Sequence, residues 1–410
     1  MACRLYHKPA LKGGAPSAEI IRRTVVGAGR QRPSQRALVL AGGGIVGGLY
    51  EVGALLALDS VCEGFSTCDF DLYVGSSAGA FIAALLANRV SADRLREALD
   101  ADQRTLPRLS ASRFMTLPWR SYLGTVPRLA TALPRMAGDL WVHWQEALVL
   151  DTVVSLLRVL PGGIFSLDGL ERYVRDVLTQ AGRSNDFRRL RRRLLVPATA
   201  LDTGAIRVFG ARLDERTPIS RAVAASAAVP ILFEPVTIDG LHYVDASVTK
   251  TAHARLAVER GAGLVVVVNP MRPLLRDPKT QPPLADGGPF AVAGQALRIA
   301  IHRRLHDGLA RHTYTSPATD FVLLEPYERD LRLFDYPLMT YSLRHEVIRR
   351  GYRTTVKTLL GDYERYADVF ERNRVTLLPR REIERRAHRW SSASRAHKAS
   401  DAGSAAAIAR

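Results

Sequence analysis

The sequence predicts an α/β protein with three layers, in which a mainly parallel central sheet is flanked by helices. Two short apolar segments within residues 37–87 are each followed by a glycine-rich turn and then by apolar residues at helical spacing. Successive strand–turn–helix units favour parallel strands. The wholly apolar residues 264–268 are typical of a strand that is buried on both faces of such a sheet.

The predicted elements follow from apolar runs, helical periodicity and turn residues. Strands are predicted over residues 37–41, 70–74, 194–200, 206–209 and 264–268. Helices are predicted over residues 50–58, 80–87, 291–313 and 338–360. The six prolines in residues 269–294 predict a long surface loop.

The charge distribution divides the chain of 410 residues into three parts. The formal net charge is +18, of which +7 lies in residues 1–36 and +6 in residues 371–410. We interpret these two segments as basic, largely disordered tails around one domain at residues 37–370. Within that domain, residues 105–160 are rich in proline and tryptophan and are interpreted as a helical insertion after the helix at 80–87.

Several classes of protein are disfavoured by composition. The three cysteines contain no C-x-x-C pair, so neither a disulfide scaffold nor a zinc cluster is indicated. The N-terminus lacks the apolar stretch of a signal peptide, and no run of about 18 apolar residues is present. We therefore expect a cytoplasmic protein that can contact a membrane surface.

The first glycine cluster, at residues 42–47, matches G-x-G-x-x-G after a strand and before a helix. A dinucleotide site would also need an acidic residue at the end of the second strand to bind the ribose. That strand ends instead in Gly75-Ser76-Ser77-Ala78-Gly79. The glycine pattern alone is weak evidence, so a dinucleotide site is disfavoured.

The second turn, residues 75–79, matches G-x-S-x-G, the pattern of a nucleophile elbow between strand and helix. Gly75 and Gly79 would make room for the strained turn, and Ser77 would be the nucleophile. The following helix would direct its N-terminal N–H groups at the site and favour negative charge there. An ordinary turn built from small residues is the alternative interpretation.

A serine nucleophile needs a base that accepts its proton. Asp245, which follows Tyr243-Val244, is one candidate. A histidine in a Ser–Asp–His triad is the other. Chain order admits the histidines that follow Asp202, namely His242, His253, His302, His306, His312 and His345. Most of them lie among charged residues, as is typical of a solvated helix face.

These motifs together resemble the patatin-like phospholipases. The resemblance rests on the glycine-rich strand–turn–helix unit at 38–58, the elbow at 75–79 and Asp245 after a strand, in that order. Similar stretches lie at 194–204 and 224–233. It covers residues 37–270 well and 271–370 loosely. It implies a phospholipase A or lysophospholipase-like serine esterase that cleaves fatty-acyl esters of lipids and needs no metal or organic cofactor.

The resemblance also implies a Ser–Asp dyad without histidine. Ser77 would be the nucleophile and Asp245 the base, while Gly42, Gly43 and Gly44 would form the oxyanion hole. The family usually has a basic residue in place of Val46 and a glycine in place of Ala246. A weak or inactive lipid- or protein-binding scaffold on the same fold is therefore the alternative function, and a Ser–His–Asp esterase is the second.

The expected partners are lipids. Met115, Trp119, Tyr122, Trp141 and Trp144 in the insertion suit an interfacial lid or acyl-chain groove, or else pack in a helical layer of the core. The basic tails and the run at 188–193 can contact anionic lipid. No specific nucleic acid is expected, because no nucleic-acid-binding motif accompanies the charge.

Overall fold

The computed structural model describes residues 35–100, 106–110, 114–119, 122–123, 127, 162–211, 214–249, 252–276, 279–328, 330–331 and 341–390. Residues 1–34 of the first predicted tail and most of the insertion at 105–160, including Trp141 and Trp144, lie outside these residues. So do residues 391–410 of the second predicted tail. The prediction of the first tail is wrong for Gln35 and Arg36, which begin the first strand, where Arg36 forms an ion pair with Asp71 at 3.0 Å.

The described part of the chain alternates between strands and helices. Its strands are β1 (Gln35–Leu40), β2 (Cys62–Glu63), β3 (Leu72–Gly75), β4 (Gly163–Phe165), β5 (Arg193–Ala200), β6 (Ile206–Phe209), β7 (Ile231–Phe233), β8 (Val236–Ile238), β9 (Leu241–Val244), β10 (Ala262–Val268), β11 (Asp320–Leu324) and β12 (Thr376–Leu377). Its helices are α1 (Gly44–Val61), α2 (Ala78–Ala87), α3 (Ala92–Glu97), α4 (Asp168–Leu178), α5 (Ile219–Ser226), α6 (Ala254–Glu259), α7 (Gly288–Thr315), α8 (Arg344–Gly361) and α9 (Tyr363–Glu371).

The central sheet has eight strands and is mainly parallel. Its order is β11-β10-β1-β3-β5-β9-β8, with β6 also paired to β5. The five strands from β11 to β5 are parallel, whereas β6, β8 and β9 form antiparallel pairs. Leu38 of β1 lies opposite Val266 of β10 and Tyr73 of β3, which fixes the register at the centre of the sheet.

Successive side chains along each strand point to opposite faces of the sheet, so the sheet separates two apolar cores, one on each face. Leu38 and Leu40 pack into the larger core with α1, α2, α5 and α8. Ala37 and Val39 pack into the smaller core with α6 and α7. The predicted α/β fold, with helices on both faces of a mainly parallel sheet, is therefore confirmed.

Helix α1 is long and apolar enough to cross a membrane by length and composition, but 83% of it is buried inside the protein. It crosses α8 with backbone against backbone. A Cβ on Gly53 would lie 2.1 Å from the Ile348 carbonyl oxygen, and one on Gly351 would lie 2.3 Å from the Tyr50 carbonyl oxygen. This burial identifies α1 as a core helix, and the two glycines set its distance from α8.

The prediction of a disordered tail from residue 371 is wrong for residues 371–390. Strand β12 pairs with β2, since Leu377 lies opposite Cys62. Residues 380–390 are helical, and the ring of Trp390 stacks on Tyr352 at 3.9 Å. The high content of arginine on the exposed face suggested a tail, but the apolar residues between the charges pack on the core.

The predicted loop at 269–294 is shorter than expected, because α7 begins at Gly288.

We expect Gly53→Ala to destabilise the protein by about 1–3 kcal/mol, because the added methyl group meets the Ile348 carbonyl and the two helices must separate. Gly361→Ala, at the end of α8, is the control: no atom lies within 4 Å of its added Cβ. Urea unfolding of both variants measures the difference. Equal stabilities would show that the crossing of α1 and α8 is not limited by Gly53.

Candidate active site

Ser77 occupies a tight turn between β3 and α2. Its φ of 55° and ψ of −129° lie in a region that is strained for a residue with a side chain. A Cβ on Gly75 would lie 2.4 Å from the Gly79 carbonyl oxygen, and a Cβ on Gly79 would lie 2.5 Å from the Leu40 carbonyl oxygen. Glycine is thus required on both sides of Ser77, which is held at the N-terminus of α2.

The first glycine turn lies directly against this elbow. Gly42, Gly43 and Gly44 have φ values of 77°, 123° and 66°, all in the left-handed region that favours glycine. A Cβ on Gly42 would lie 2.4 Å from the Ser76 carbonyl oxygen and 2.8 Å from the Cβ of Ser77. The two turns are therefore in backbone contact at the carboxyl ends of the neighbouring strands β1 and β3.

The three amides of the glycine turn are not equivalent. The Gly42 N–H donates to Oε1 of Glu51 at 2.7 Å, so it is already engaged. The N–H groups of Gly43 and Gly44 make no hydrogen bond within the described residues, since they precede the first complete turn of α1. Gly43 and Gly44 are therefore the available donors for an anionic oxygen, and Gly42 has a positioning role.

Glu51 is a residue of this site that the sequence analysis missed. Its side chain is fully buried on α1, and burial raises the pKa of its carboxyl group from 4.5 to about 8. The hydrogen bonds from Gly42 and Ala41 act in the opposite direction but are weaker. The available signal was a single acidic residue among the apolar residues of the helix predicted at 50–58, seven residues after Gly44.

Asp245 lies directly after β9 and is also buried, with 1% of its surface exposed. Its Oδ1 accepts a hydrogen bond from the Ser247 N–H at 2.7 Å, which makes Asp245 the cap of a short 3₁₀ turn. Burial raises the pKa of Asp245, while hydrogen bonding from the Ser77 and Ser247 side chains partly offsets the increase. The structure thus brings together Ser77 and Asp245, which are far apart in the sequence.

The contact between Ser77 and Asp245 is loose. Oδ2 of Asp245 has no hydrogen bond of standard geometry within the described residues, although the Ser77 hydroxyl is close enough to influence the pKa of the carboxyl group. Catalytic hydrogen bonds are often long without substrate and tighten when it binds. The main chain of Ser77 is better fixed, because its N–H donates to Oγ of Ser226 at 3.1 Å.

The two departures from the family pattern fit their surroundings. Val46 is fully buried in the larger core, where an apolar side chain packs without a charge to compensate. Ala246 is also fully buried, and its φ is not positive, so the position does not require glycine. Neither residue disturbs the backbone that holds Ser77 and Asp245.

An apolar cavity of about 120 Å³ lies beside Ser77. Its walls come from the glycine turn, helices α1 to α4, the insertion, the segment after α5, and Tyr341. The lining residues are Gly44, Ile45, Gly48, Leu49, Val52, Ser77, Ala78, Phe81, Ile82, Leu95, Leu99, Leu109, Phe114, Met115, Leu167, Leu170, Ala227, Val229, Phe233 and Tyr341. The hydroxyl of Tyr341 donates to the Leu99 carbonyl at 2.6 Å. Ser77 and Tyr341 are the lining residues that carry a hydroxyl group, and that of Tyr341 is engaged with the main chain.

The aromatic residues predicted for a lid or groove have different positions. Met115 lines the cavity, whereas Trp119 is 61% exposed and Tyr122 is also exposed. The hydroxyl of Tyr122 donates to the Ile164 carbonyl at 3.3 Å, which connects this segment to β4.

Four of the six histidines considered for a triad lie close to other carboxylates, among them His345 at 3.1 Å from Asp100. His253 is buried, and the ring of His312 stacks on Phe321. His242 lies 3.5 Å from Asp202, and His302 and His306 lie 3.4 Å and 3.1 Å from Glu325. Within the described residues, none of the hydrogen bonds or ion pairs of Ser77 and Asp245 involves a histidine.

Comparison with known proteins identifies the family of the chain. The sequence model of the patatin-like phospholipase family matches residues 38–258, more than half of the chain. The chain belongs to the patatin-like phospholipase family. No curated protein matches the chain.

Solved structures with similarity include two bacterial proteins. VipD from Legionella pneumophila is 14% identical with a TM-score of 0.35, and the match covers 80% of this chain and 67% of VipD. Full-length ExoU of the Pseudomonas aeruginosa type III secretion system, in complex with SpcU, is 16% identical with a TM-score of 0.28. That match covers 87% of this chain and 68% of the other.

Two substitutions of Glu51 separate the effect of its hydrogen bond to Gly42 on stability from the effect of its ionisation. The folded protein keeps the Glu51 proton up to pH about 8, whereas the unfolded chain releases it near pH 4.5, so stability is lost as the pH rises between these values. Glu51→Gln keeps an acceptor for the Gly42 N–H and cannot ionise. We expect the Glu51→Gln protein to be more stable than the native protein, by a difference in the free energy of unfolding that grows from pH 5 to pH 8. Urea unfolding at several pH values measures this difference.

Glu51→Ala is the matched variant, because it leaves the buried Gly42 N–H without an acceptor. We expect a loss of about 1–3 kcal/mol in stability at pH 5, where Glu51 is neutral. A Glu51→Gln protein whose stability relative to the native protein does not change with pH would contradict the raised pKa.

Proposed function

We propose that this protein is a serine-dependent lipid acyl hydrolase that cleaves fatty-acyl esters through Ser77 and Asp245. One observation carries the proposal: a serine in a strained elbow faces an apolar cavity and lies next to a buried carboxylate and two amides that are free to donate. An apolar cavity suits a fatty-acyl chain, and it excludes the water that would weaken the electrostatic interactions at the ester.

The reaction would proceed in two halves. Oγ of Ser77 attacks the ester carbonyl carbon while Asp245 takes the hydroxyl proton, and the N–H groups of Gly43 and Gly44 donate to the resulting oxyanion. The tetrahedral intermediate collapses, Asp245 returns the proton to the departing alcohol, and an acyl-enzyme remains. Water then attacks the acyl carbonyl with Asp245 as the base, and the fatty acid leaves with Ser77 restored.

The burial of Asp245 supports its role as a base. An aspartate with an ordinary pKa is a weak base at neutral pH, and burial raises the pKa of this one. The carboxylate must be ionised to accept a proton, so activity falls at low pH. The acidic limb of the kcat/KM profile should lie above the ordinary aspartate value near 3.8.

Ser77→Ala and Asp245→Asn test the two roles. We expect Ser77→Ala to abolish labelling by a fluorophosphonate probe and turnover of p-nitrophenyl fatty-acyl esters. Asp245→Asn cannot accept the proton and should lower kcat/KM by about 10²–10⁴-fold. His242→Ala, which alters an exposed histidine paired with Asp202, is the control and should retain native turnover.

The alternatives make different predictions for the same experiment. Near-native turnover by Asp245→Asn would favour a Ser–His–Asp esterase in which a histidine is the base. A native protein that is not labelled, with or without phospholipid vesicles, would favour a non-catalytic lipid-binding scaffold.

Exposed apolar side chains next to the cavity support lipid presented at an interface as the substrate. Ile164 of β4 and Ile231 of β7 are 42% and 63% exposed, while their neighbour Phe233 lines the cavity. β4 and β7 pair in parallel, with Gly163 opposite Ile231. Ile231 also has a φ of 72°, a strained conformation for a β-branched residue. Strain and exposure together favour a contact role over a packing role.

Ile231→Asn tests this surface without damaging the fold. Asparagine tolerates positive φ better than isoleucine, so we expect equal or higher thermal stability. Turnover of phospholipid in vesicles should fall several-fold, while turnover of a soluble short-chain ester should stay native. Equal turnover of the vesicle substrate would rule out Ile231 as an interfacial contact.

Contact of the basic tails with anionic lipid and a cytoplasmic location stay predictions from the sequence.

A further inference from the structure

A cluster of two histidines and a glutamate lies at one end of the sheet, away from the cavity lining. His302 and His306 are four residues apart on α7, so their side chains share one face of the helix, and their ring centroids are 4.1 Å apart. Glu325 directly follows strand β11. These residue types are established ligands of zinc.

The distances within the cluster suit one metal ion. Nδ1 of His302 lies 3.4 Å from Oε1 of Glu325, and Nε2 of His306 lies 3.1 Å from Oε2. The three candidate donor atoms all lie within 4.8 Å of one another. Donors at about 2.0–2.2 Å from a tetrahedral zinc ion are separated by roughly 3.4 Å. Small side-chain movements would therefore bring one donor from each residue onto a shared ion.

The carboxylate is held in place from behind. Nδ2 of Asn269 donates to Oε1 of Glu325 at 2.6 Å, and the Asn269 N–H donates to the Leu324 carbonyl at 2.9 Å. Asn269 is fully buried, and only 9% of Glu325 is exposed. Outer hydrogen bonds of this kind orient the ligands in metal sites. The imidazoles of His302 and His306, which are 23% and 17% exposed, leave a path for the ion.

We propose that His302, His306 and Glu325 bind one zinc ion, with solvent in the fourth position. Two imidazole nitrogens and one carboxylate favour zinc over calcium or magnesium, which prefer sites made of oxygen ligands. Chain order alone made the two histidines candidate bases for Ser77, whereas the structure places both beside Glu325.

The zinc ion would link α7 to Glu325, whose partner Asn269 belongs to the segment 269–271 that packs on the glycine turn. The Met271 N–H donates to Oδ1 of Asn269 at 3.1 Å. Sδ of Met271 would lie 2.9 Å from a Cβ on Gly43, so it packs directly on the turn that carries the available amides. None of the three ligands lines the cavity. The ion would thus lie apart from Ser77, and its binding does not depend on the proposed hydrolysis.

Zinc titration of the full chain without a histidine tag tests the proposal, after treatment with a chelator. We expect one zinc ion per chain by calorimetry and elemental analysis, a higher Tm with zinc, and visible absorption bands when cobalt replaces zinc. Asn269→Ala should weaken binding about 10–100-fold, and loss of a ligand in His306→Ala or Glu325→Gln should weaken it further.

Two controls make the result specific. His242→Ala removes a histidine that faces a carboxylate without a second imidazole, so it should bind zinc as the native protein does. Ser77→Ala should also bind zinc normally, which separates this proposal from the proposed function. If His306→Ala does not fold, His302→Gln replaces it as the ligand variant.

Absence of saturable zinc binding at one ion per chain would overturn the proposal and leave a metal-free cluster of histidines and carboxylate. Equal affinity for zinc in the native protein and in folded ligand variants would also overturn it, as would tighter binding of calcium or magnesium than of zinc.

Discussion

Backbone contact between two glycine turns is the constraint on which the rest of this structure depends. Gly42 lies so close to the carbonyl oxygen of Ser76 that a Cβ would be 2.4 Å from it. The contact is possible because β1 and β3 are parallel neighbours, so that both turns leave the same edge of the sheet. It brings the strained Ser77 within reach of the amides of the first turn, and it leaves no room for larger side chains.

Burial around this contact explains the electrostatics of the site. Glu51 and Asp245 are both buried, and burial raises the pKa of each carboxyl group. Their hydrogen-bond partners differ, because Glu51 accepts from the Gly42 N–H whereas Asp245 is beside Ser77. One carboxyl group thus holds the first glycine turn, and the other lies beside the serine of the second turn. Keeping two such groups out of water costs stability, which the large apolar core around them offsets.

The C-terminal part of the chain completes the domain beyond the family match at residues 38–258. β10 lies next to β1 in the centre of the sheet, and its residues are fully buried. α8 packs on α1 through Gly53 and Gly351, and β12 pairs with β2. The position of the glycine turn therefore depends on residues that follow the matched region, through α1 on one face and Met271 on the other.

The sequence by itself determined the features that neighbouring residues encode: the buried strand at 264–268, the helices after each glycine turn, and Ser77 at the elbow between Gly75 and Gly79. Local conformational preference and apolar periodicity are sufficient for these. Only the tertiary structure decided which groups meet across long separations in the chain. Glu51 on the Gly42 amide, Glu325 beside two histidines, and the packing of residues 371–390 all depend on how helices settle on the sheet. Such contacts cannot be predicted from neighbouring residues, because they form only when the whole core is packed.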